Sequence, residues 1–352
     1  MASAWLLTDG SAGMLAQARA LAEALEFSYV EKKITLSRWF SWQPNAFYAS
    51  GFKHLILDYA LDKKNSDSLE LPRPEIVISC GRRAALIAMG MRWATMQPHN
   101  NEQAKDDKQE AFSSSVIRHP STFFIHIQDP QCRPENFDLV IAMEHDKLQG
   151  ANVISVQRAL HSITPEKLAA AREQFNGRFS TYAPPKVAVL IGGSTNKYRL
   201  RPRAMKQIIS KLEQLLARTS CSLLITPSRR TGEDNVALLE SHFRGHPRVY
   251  LYDGKEENPY LGLLAHADYI ITTNDSVNMM SEALATKKPL YILPLPGHRA
   301  TKPARFAERL IADGTCRLLG ESLQPWDYEM NDWMAELAEK VGSYLSSLRP
   351  RT

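Results

Sequence analysis

Long apolar runs, paired cysteines and repeated motifs are all missing from this sequence, and each absence narrows what the chain can be. No apolar stretch approaches the roughly 20 residues that span a bilayer, so no membrane-crossing helix is expected. Cys80, Cys132, Cys221 and Cys316 are scattered, with no Cys-x-x-Cys pair. That spacing argues against a metal site or a disulfide framework. Three of the four sit in or beside apolar runs, which predicts buried free thiols and a reducing compartment. The opening MASAWLLTDG has no basic segment and turns polar by Thr8, unlike a secretory signal, so a cytoplasmic protein is expected. There is no zinc-finger spacing and no aromatic-glycine RNA-binding signature. A net charge of +5 over 352 residues is too modest for a nucleic-acid binder, but suits an anionic small molecule or an acidic membrane surface. No Asp-x-Asp metal motif ends a predicted strand, and no metal is expected.

What is present is an alternation of short apolar runs with helical patterns, over a length that fits two domains of about 150 residues each. Trp5–Leu7, Ile76–Ile78, Phe123–Ile125 and Leu139–Ile141 read as strands, and Met14–Leu25 and Ala84–Met91 as helices. The strands lack polar alternation, which points to a parallel sheet buried on both faces. Thr164 followed by Pro165 reads as the N-cap and first turn of a helix that ends near Asn176-Gly177. The second half restarts the rhythm. Val187–Ile191, Leu223–Thr226, Val249–Tyr252, Tyr269–Thr272 and Pro289–Leu293 are strands, with a helix from about Pro202 to Ala217 and another ending near Phe243. The fold class is therefore α/β, with two doubly wound Rossmann-like domains facing a cleft. The expected divisions are residues 1–176, a linker at 177–185, residues 186–325, and a helix within 326–352 that returns to the first domain. Two segments break the rhythm. Residues 97–115 read as a polar insertion loop, and residues 36–64 are rich in aromatics: Trp39, Phe40, Trp42, Phe47, Tyr48 and Phe52, near Arg38 and Lys53. Such a stretch either fills a core or cleft floor, or makes a peripheral membrane contact.

In a parallel sheet, ligands collect beyond the carboxyl ends of the strands. Three polar loops there suit a nucleotide. Gly192-Gly193-Ser194-Thr195, beside Lys197 and Arg199, offers backbone N–H groups to a phosphate. Ser228-Arg229-Arg230-Thr231 sets two guanidinium forks where a diphosphate would lie, with Thr231 also a candidate helix cap. The run from Thr272 through Asn274, Asp275, Ser276 and Ser281 to Glu282 ends a strand in a turn and starts a helix at Asp275 or Ser276. An anion can sit on that helix terminus, and Glu282 can accept both hydroxyls of a ribose. In the first half, Asp9 is a candidate general base and Gly10, Gly13 and Gln17 its loop. Gln128 with Asp129, His145 with Asp146, and His161 complete the acceptor-side candidates; Asp129 before Pro130 also reads as a turn, and the histidines also as structural.

The chain resembles the "elongated mitochondria" family, a plant mitochondrial-fission factor and its bacterial relatives. The elements that carry the resemblance run through the chain in order. They are Asp9-Gly10…Gly13…Gln17, Ile127-Gln128-Asp129-Pro130, Phe137-Asp138, Glu144-His145-Asp146, Ala159-Leu160-His161, Gly192-Gly193, Ser228-Arg229-Arg230-Thr231 and the run from Asp275 to Glu282. The resemblance implies a fold like that of GT-B glycosyltransferases. Unlike several of those enzymes, the chain has no His in the first Gly loop, which leaves the base open. Three functions follow as expectations. The first is transfer of a sugar from a nucleotide-sugar donor, with no further cofactor, to an acceptor saccharide or lipid-linked acceptor. The second is a nucleotide-binding scaffold without turnover. The third is an NAD-dependent epimerase, from the partial fingerprint Gly10-x-x-Gly13-x-x-Ala16 with Glu31. It would need a helical Tyr-x-x-x-Lys pair, for which only Tyr59…Lys63 qualifies, far too early in the chain.

Overall fold

The computed structural model describes residues 2–38, 40, 44–70, 72–96, 122–195, 198–296, 301–329 and 331–348. Trp39, Trp42, Lys197 and the expected insertion loop at 97–115 lie outside them. The chain forms two compact units, Met1–Ser162 with Met334–Thr352, and Ile163–Trp333.

The first unit runs β1 (Ser3–Thr8), α1 (Ala12–Ala24), β2 (Ser28–Lys33), α2 (Asn45–Ala49), β3 (Ile76–Cys80), α3 (Arg82–Met96), β4 (Phe123–Ile127), β5 (Leu139–Met143) and β6 (Val153–Val156). Its sheet is wholly parallel, in the order β2-β1-β3-β4-β5-β6. All five residues of β3 and of β5 are buried, which is why both read as continuous apolar runs. Cys80, Cys221 and Cys316 are buried free thiols, and burial pushes the Cys80 thiol well up.

The second unit runs α4 (Pro165–Gln174), α5 (Asn176–Phe179), β7 (Lys186–Ile191), α6 (Pro202–Arg218), β8 (Ser222–Pro227), α7 (Glu233–Phe243), β9 (Val249–Leu251), α8 (Tyr260–His266), β10 (Tyr269–Thr273), α9 (Val277–Ala285), β11 (Leu290–Leu293), α10 (Lys302–Ala312) and β12 (Cys316–Leu318). Its sheet is also parallel, in the order β12-β11-β10-β7-β8-β9. Helix α6 shows how sequence becomes packing. Met205, Ile208, Ile209, Leu212, Leu215 and Leu216 recur at helical spacing and all are buried against this sheet. The C-terminal helix α11 (Trp333–Leu348) buries Leu337, Val341 and Leu345 in the first unit, where the Tyr344 hydroxyl donates to the Asp138 carbonyl at 3.0 Å. Asp138, in one of the elements that carry the family resemblance, is structural. Its Oδ1 accepts the Nε and Nη2 N–H groups of Arg92 from α3 (3.0 and 2.8 Å), and its Oδ2 accepts the Phe124 N–H (2.8 Å).

The division at Ser162 and Ile163 falls earlier than the linker expected at 177–185. Helix α4 is capped by Thr164, whose hydroxyl accepts the Lys167 N–H as expected. The phenylalanines that follow it bind the whole segment to the second unit. Phe175 lies against Gly262 of α8 so closely that a Cβ there would sit 2.5 Å from its ring. Phe179 is fully buried between Tyr250 and His266, at ring separations of 5.1 and 5.3 Å. In the aromatic stretch, Tyr48 is buried and stacks on Phe40, whereas Phe47 and Phe52 stack on each other in the open, 49% and 42% exposed. Among the described residues no helix is long and apolar enough to cross a membrane.

Candidate functional site

Each sheet has one point where the strand order reverses, and side chains from both flanking loops meet there. In the second unit it lies between β7 and β10. The loops after these strands and after β8 are tied together around one carboxylate. Asp275, 3% exposed, accepts the Gly193 N–H on Oδ2 at 2.9 Å and the Thr273 hydroxyl on Oδ1 at 2.6 Å. The Arg230 guanidinium lies 2.9 Å from the same Oδ2. The Thr273 oxygen in turn accepts the Gly192 N–H at 2.8 Å. Ser194 donates its N–H to the Arg230 carbonyl (2.8 Å), and the Thr195 N–H goes to the Tyr198 carbonyl (2.7 Å). Thr231, fully buried, donates its hydroxyl to the Gly192 carbonyl at 2.7 Å.

This geometry brings together Gly192, Gly193, Ser194, Arg230, Thr231 and Asp275, and bears on three expectations about them. The Gly loop does not hold its N–H groups open for a phosphate, because Thr273, Asp275, Arg230 and Tyr198 take all four. Thr231 is no helix cap. Gly232 precedes α7, and Thr231 is a strut between the β8 and β7 loops. Of the two helix starts expected, Asp275 or Ser276, the structure selects Ser276: it is the N-cap of α9, which begins at Val277, and its hydroxyl accepts the Met279 N–H. The paired arginines also separate in role. Arg230 is committed to Asp275. Arg229 is exposed and has no hydrogen bond or ion pair among the described residues. Arg199 is exposed beside the same loop. The Ser228 hydroxyl accepts the Arg230 N–H, Asn274 accepts the Leu295 N–H, and Ser281 is fully buried. Ser228 and Asn274 shape the loops, and Ser281 lies inside α9.

Glu282 stands apart from that network. Its Oε2 accepts the hydroxyl of Tyr260, the first residue of α8, at 2.6 Å. Desolvation pushes the Glu282 carboxyl up to about 7, against the smaller opposing effect of the Tyr260 hydrogen bond. A carboxyl raised above its unfolded value of 4.5 favours the folded state only while protonated, so this contribution is lost as pH rises from there through 7. Wild type should lose stability relative to Glu282→Gln between pH 5 and pH 8, by on the order of 2 kcal/mol. Urea midpoints of both proteins at the two pH values measure this; parallel pH profiles would contradict the assignment.

In the first unit the reversal lies between β1 and β3. Asp9 closes a turn by accepting the Ser11 N–H at 3.1 Å, and pairs with Arg83 at 3.5 Å. Gly10 takes a φ of +83°, which its lack of a Cβ permits. Gly13 lies in the first turn of α1, and Gln17 is buried one turn on, its amide donating to the Gly13 carbonyl. Gln128 and Asp129 follow β4, with Asp129 accepting the Gln131 N–H as a turn residue. His145 and Asp146 follow β5, 3.6 Å apart. Asp9, Asp129 and His145 thus share the carboxyl edge of one sheet, while His161 is buried beyond β6. Glu31, in β2, and Tyr59 bear on the NAD-dependent reading. Glu31 is paired with Arg19, and Tyr59 lies on a single π-helical turn, Ile56–Ala60, that ends before Lys63.

Several residues of these sites escaped the sequence reading. Arg82-Arg83 follow Gly81 at the end of β3 much as Arg229-Arg230 follow β8, a repetition visible in the sequence. Asn45 ties the loops after β3 and β4 together through the Arg82 and Pro130 carbonyls (2.8 and 2.9 Å), and Tyr260 holds Glu282. Neither has a local signal, because each acts on a partner distant in sequence.

Comparison with known proteins agrees with the sequence elements quoted above. An uncharacterised protein of Rickettsia prowazekii is 27% identical over 359 residues, covering 96% of this chain and 97% of that one. Mitochondrial fission protein ELM1 of Arabidopsis thaliana is 27% identical over 300 residues, covering 78% of this chain and 64% of the plant protein. Among solved structures, UDP-GlcNAc 2-epimerase from Methanocaldococcus jannaschii aligns with a TM-score of 0.49 at 12% identity, over 96% of this chain and 91% of that one. The profile of the family described as Mitochondrial fission ELM1 matches residues 12–101 and 109–345, and the chain belongs to that family.

Proposed function

We propose that the second unit binds the nucleoside diphosphate of a nucleotide-sugar donor beside the β7/β10 reversal, and that the protein transfers the sugar to a saccharide or lipid-linked acceptor at the loops of the first unit. The observation that carries the reading is the exposed guanidinium of Arg229, without a partner among the described residues, on a loop locked in place by its neighbour's pairing with Asp275. A guanidinium held ready without a protein partner suits a diphosphate, which it can meet with two parallel hydrogen bonds. Glu282, with Oε2 held by Tyr260 and Oε1 unclaimed among the described residues, suits the ribose. Asp9 is the base proposed for the acceptor hydroxyl.

A thermal-shift series with UDP-, ADP- and GDP-sugars tests donor binding, since a ligand at 100 times its dissociation constant stabilises by about 2.7 kcal/mol. Arg229→Ala should then weaken a nucleoside diphosphate roughly tenfold or more while leaving the nucleoside unchanged, as expected for a charged hydrogen bond to the phosphates. Equal losses for both would remove Arg229 from the diphosphate site. The internal satisfaction of the 192–195 N–H groups favours a second reading, a scaffold that kept the fold without turnover. Donor binding without transfer by wild type, across a range of acceptors, would select it.

A further inference from the structure

The Tyr260–Glu282 contact has a specific geometry. Glu282 is half-buried on α9's second turn, and a three-torsion side chain has several staggered rotamers available to it. Instead it is held from another helix, 22 residues earlier in the chain, by a 2.6 Å hydrogen bond from a phenol to one carboxylate oxygen. That length is at the short end for O–H···O bonds and typical of a charge-assisted one. Tyr260 is itself fixed. It follows Pro259 as the first residue of α8, and α8 is clamped against α4 by the Phe175–Gly262 contact. Burial and the adjacent carboxylate push the Tyr260 phenol well above its ordinary value, so it remains a donor throughout the neutral range.

We infer that Tyr260 is a positioning residue that aims the free oxygen of Glu282 at the ribose hydroxyls, and so sets the preference of the site for ribonucleotides over 2′-deoxyribonucleotides. The inference rests on the nucleotide-site reading above. Its chemistry is simple. A carboxylate with one oxygen tied back presents the other in a fixed direction, and a cis-diol can donate to it without first freezing the side chain. Removing only the phenol oxygen leaves the ring and its packing in place, so the loss appears in sugar recognition and leaves phosphate recognition intact.

The experiment measures dissociation constants of UDP, ADP and GDP, and of their 2′-deoxy counterparts, for wild type, Tyr260→Phe, Glu282→Gln and Arg229→Ala. Wild type should prefer the ribonucleotide about tenfold or more, the loss expected for an acceptor left without its donor. Tyr260→Phe should bring that ratio close to one while keeping the affinity for inorganic pyrophosphate. Arg229→Ala should do the reverse, weakening pyrophosphate with the ratio kept. Tyr260→Phe with an undiminished ratio would overturn the inference and leave the nucleotide site standing, as would an unchanged ratio in Glu282→Gln. If none of the nucleotides binds wild type, the nucleotide-site reading and this inference fall together. Should Tyr260→Phe melt lower than wild type, Glu282→Asp supplies the second variant: its shorter side chain keeps the charge, leaves Tyr260 in place and should also abolish the preference.

Discussion

Asp275→Ala is expected to destabilise the second unit by about 3 kcal/mol or more. The carboxylate is almost wholly buried, and three donors converge on it: Gly193 from the β7 loop, Arg230 from the β8 loop and Thr273 from the end of β10. Removing it leaves the Gly193 N–H and the Thr273 hydroxyl buried without their acceptor, at roughly 1–3 kcal/mol each. Arg230 contributes less to the loss because its side chain is 40% exposed and can turn to water. Asp275→Asn keeps one acceptor oxygen and the side-chain volume, so its loss should be about half as large. Hydrogen exchange resolves the effect by location. Amides of β7, β8 and β10 should exchange faster, while those of β1 and β3 keep wild-type protection. Unchanged protection in β7 and β10 would show that the loops are held by something other than this carboxylate.

The same residue shows where sequence reading stops. The alternation of apolar runs and helical stripes, the burial of α6's stripe and the Thr164 cap are local patterns, and they were legible because neighbours within a few residues decide them. The role of Asp275 depends on Gly193, 82 residues away, and on a threonine two residues before it. A Gly-Gly loop at a strand end announces available N–H groups; only the folded chain shows which groups claim them. The place where the chain passes between its two compact units is non-local in the same way. Pro184-Pro185 marks a break in regular structure, but Phe175 and Phe179 had already committed the preceding segment to the second unit. Two edge strands that escaped the sequence reading, β6 and β12, have only four and three residues, too short and too exposed for an apolar pattern to emerge.

Gly193→Ala should cost on the order of 3 kcal/mol or more. The reason is the identity of the atoms around the missing Cβ. A methyl built there would lie 2.0 Å from the Arg230 carbonyl oxygen, 2.1 Å from its carbon and 2.4 Å from the Thr231 nitrogen. All three are backbone, so no side-chain rotation relieves the contact. The β8 loop must retreat, and with it goes the Ser194 N–H bond to the Arg230 carbonyl and the Thr231 strut to Gly192. Arg229, carried on that loop, would be displaced too, so nucleotide affinity should fall alongside stability. Gly342→Ala is the matched control. Gly342 lies inside α11, nothing stands within 4 Å of its absent Cβ, and alanine is the better helix former by up to about 1 kcal/mol. The two substitutions add the same methyl group and should move the urea midpoint in opposite directions. A Gly193→Ala protein within 1 kcal/mol of wild type would mean that the close approach of the two loops is not required for the fold. The locked platform proposed for Arg229 would then have no basis.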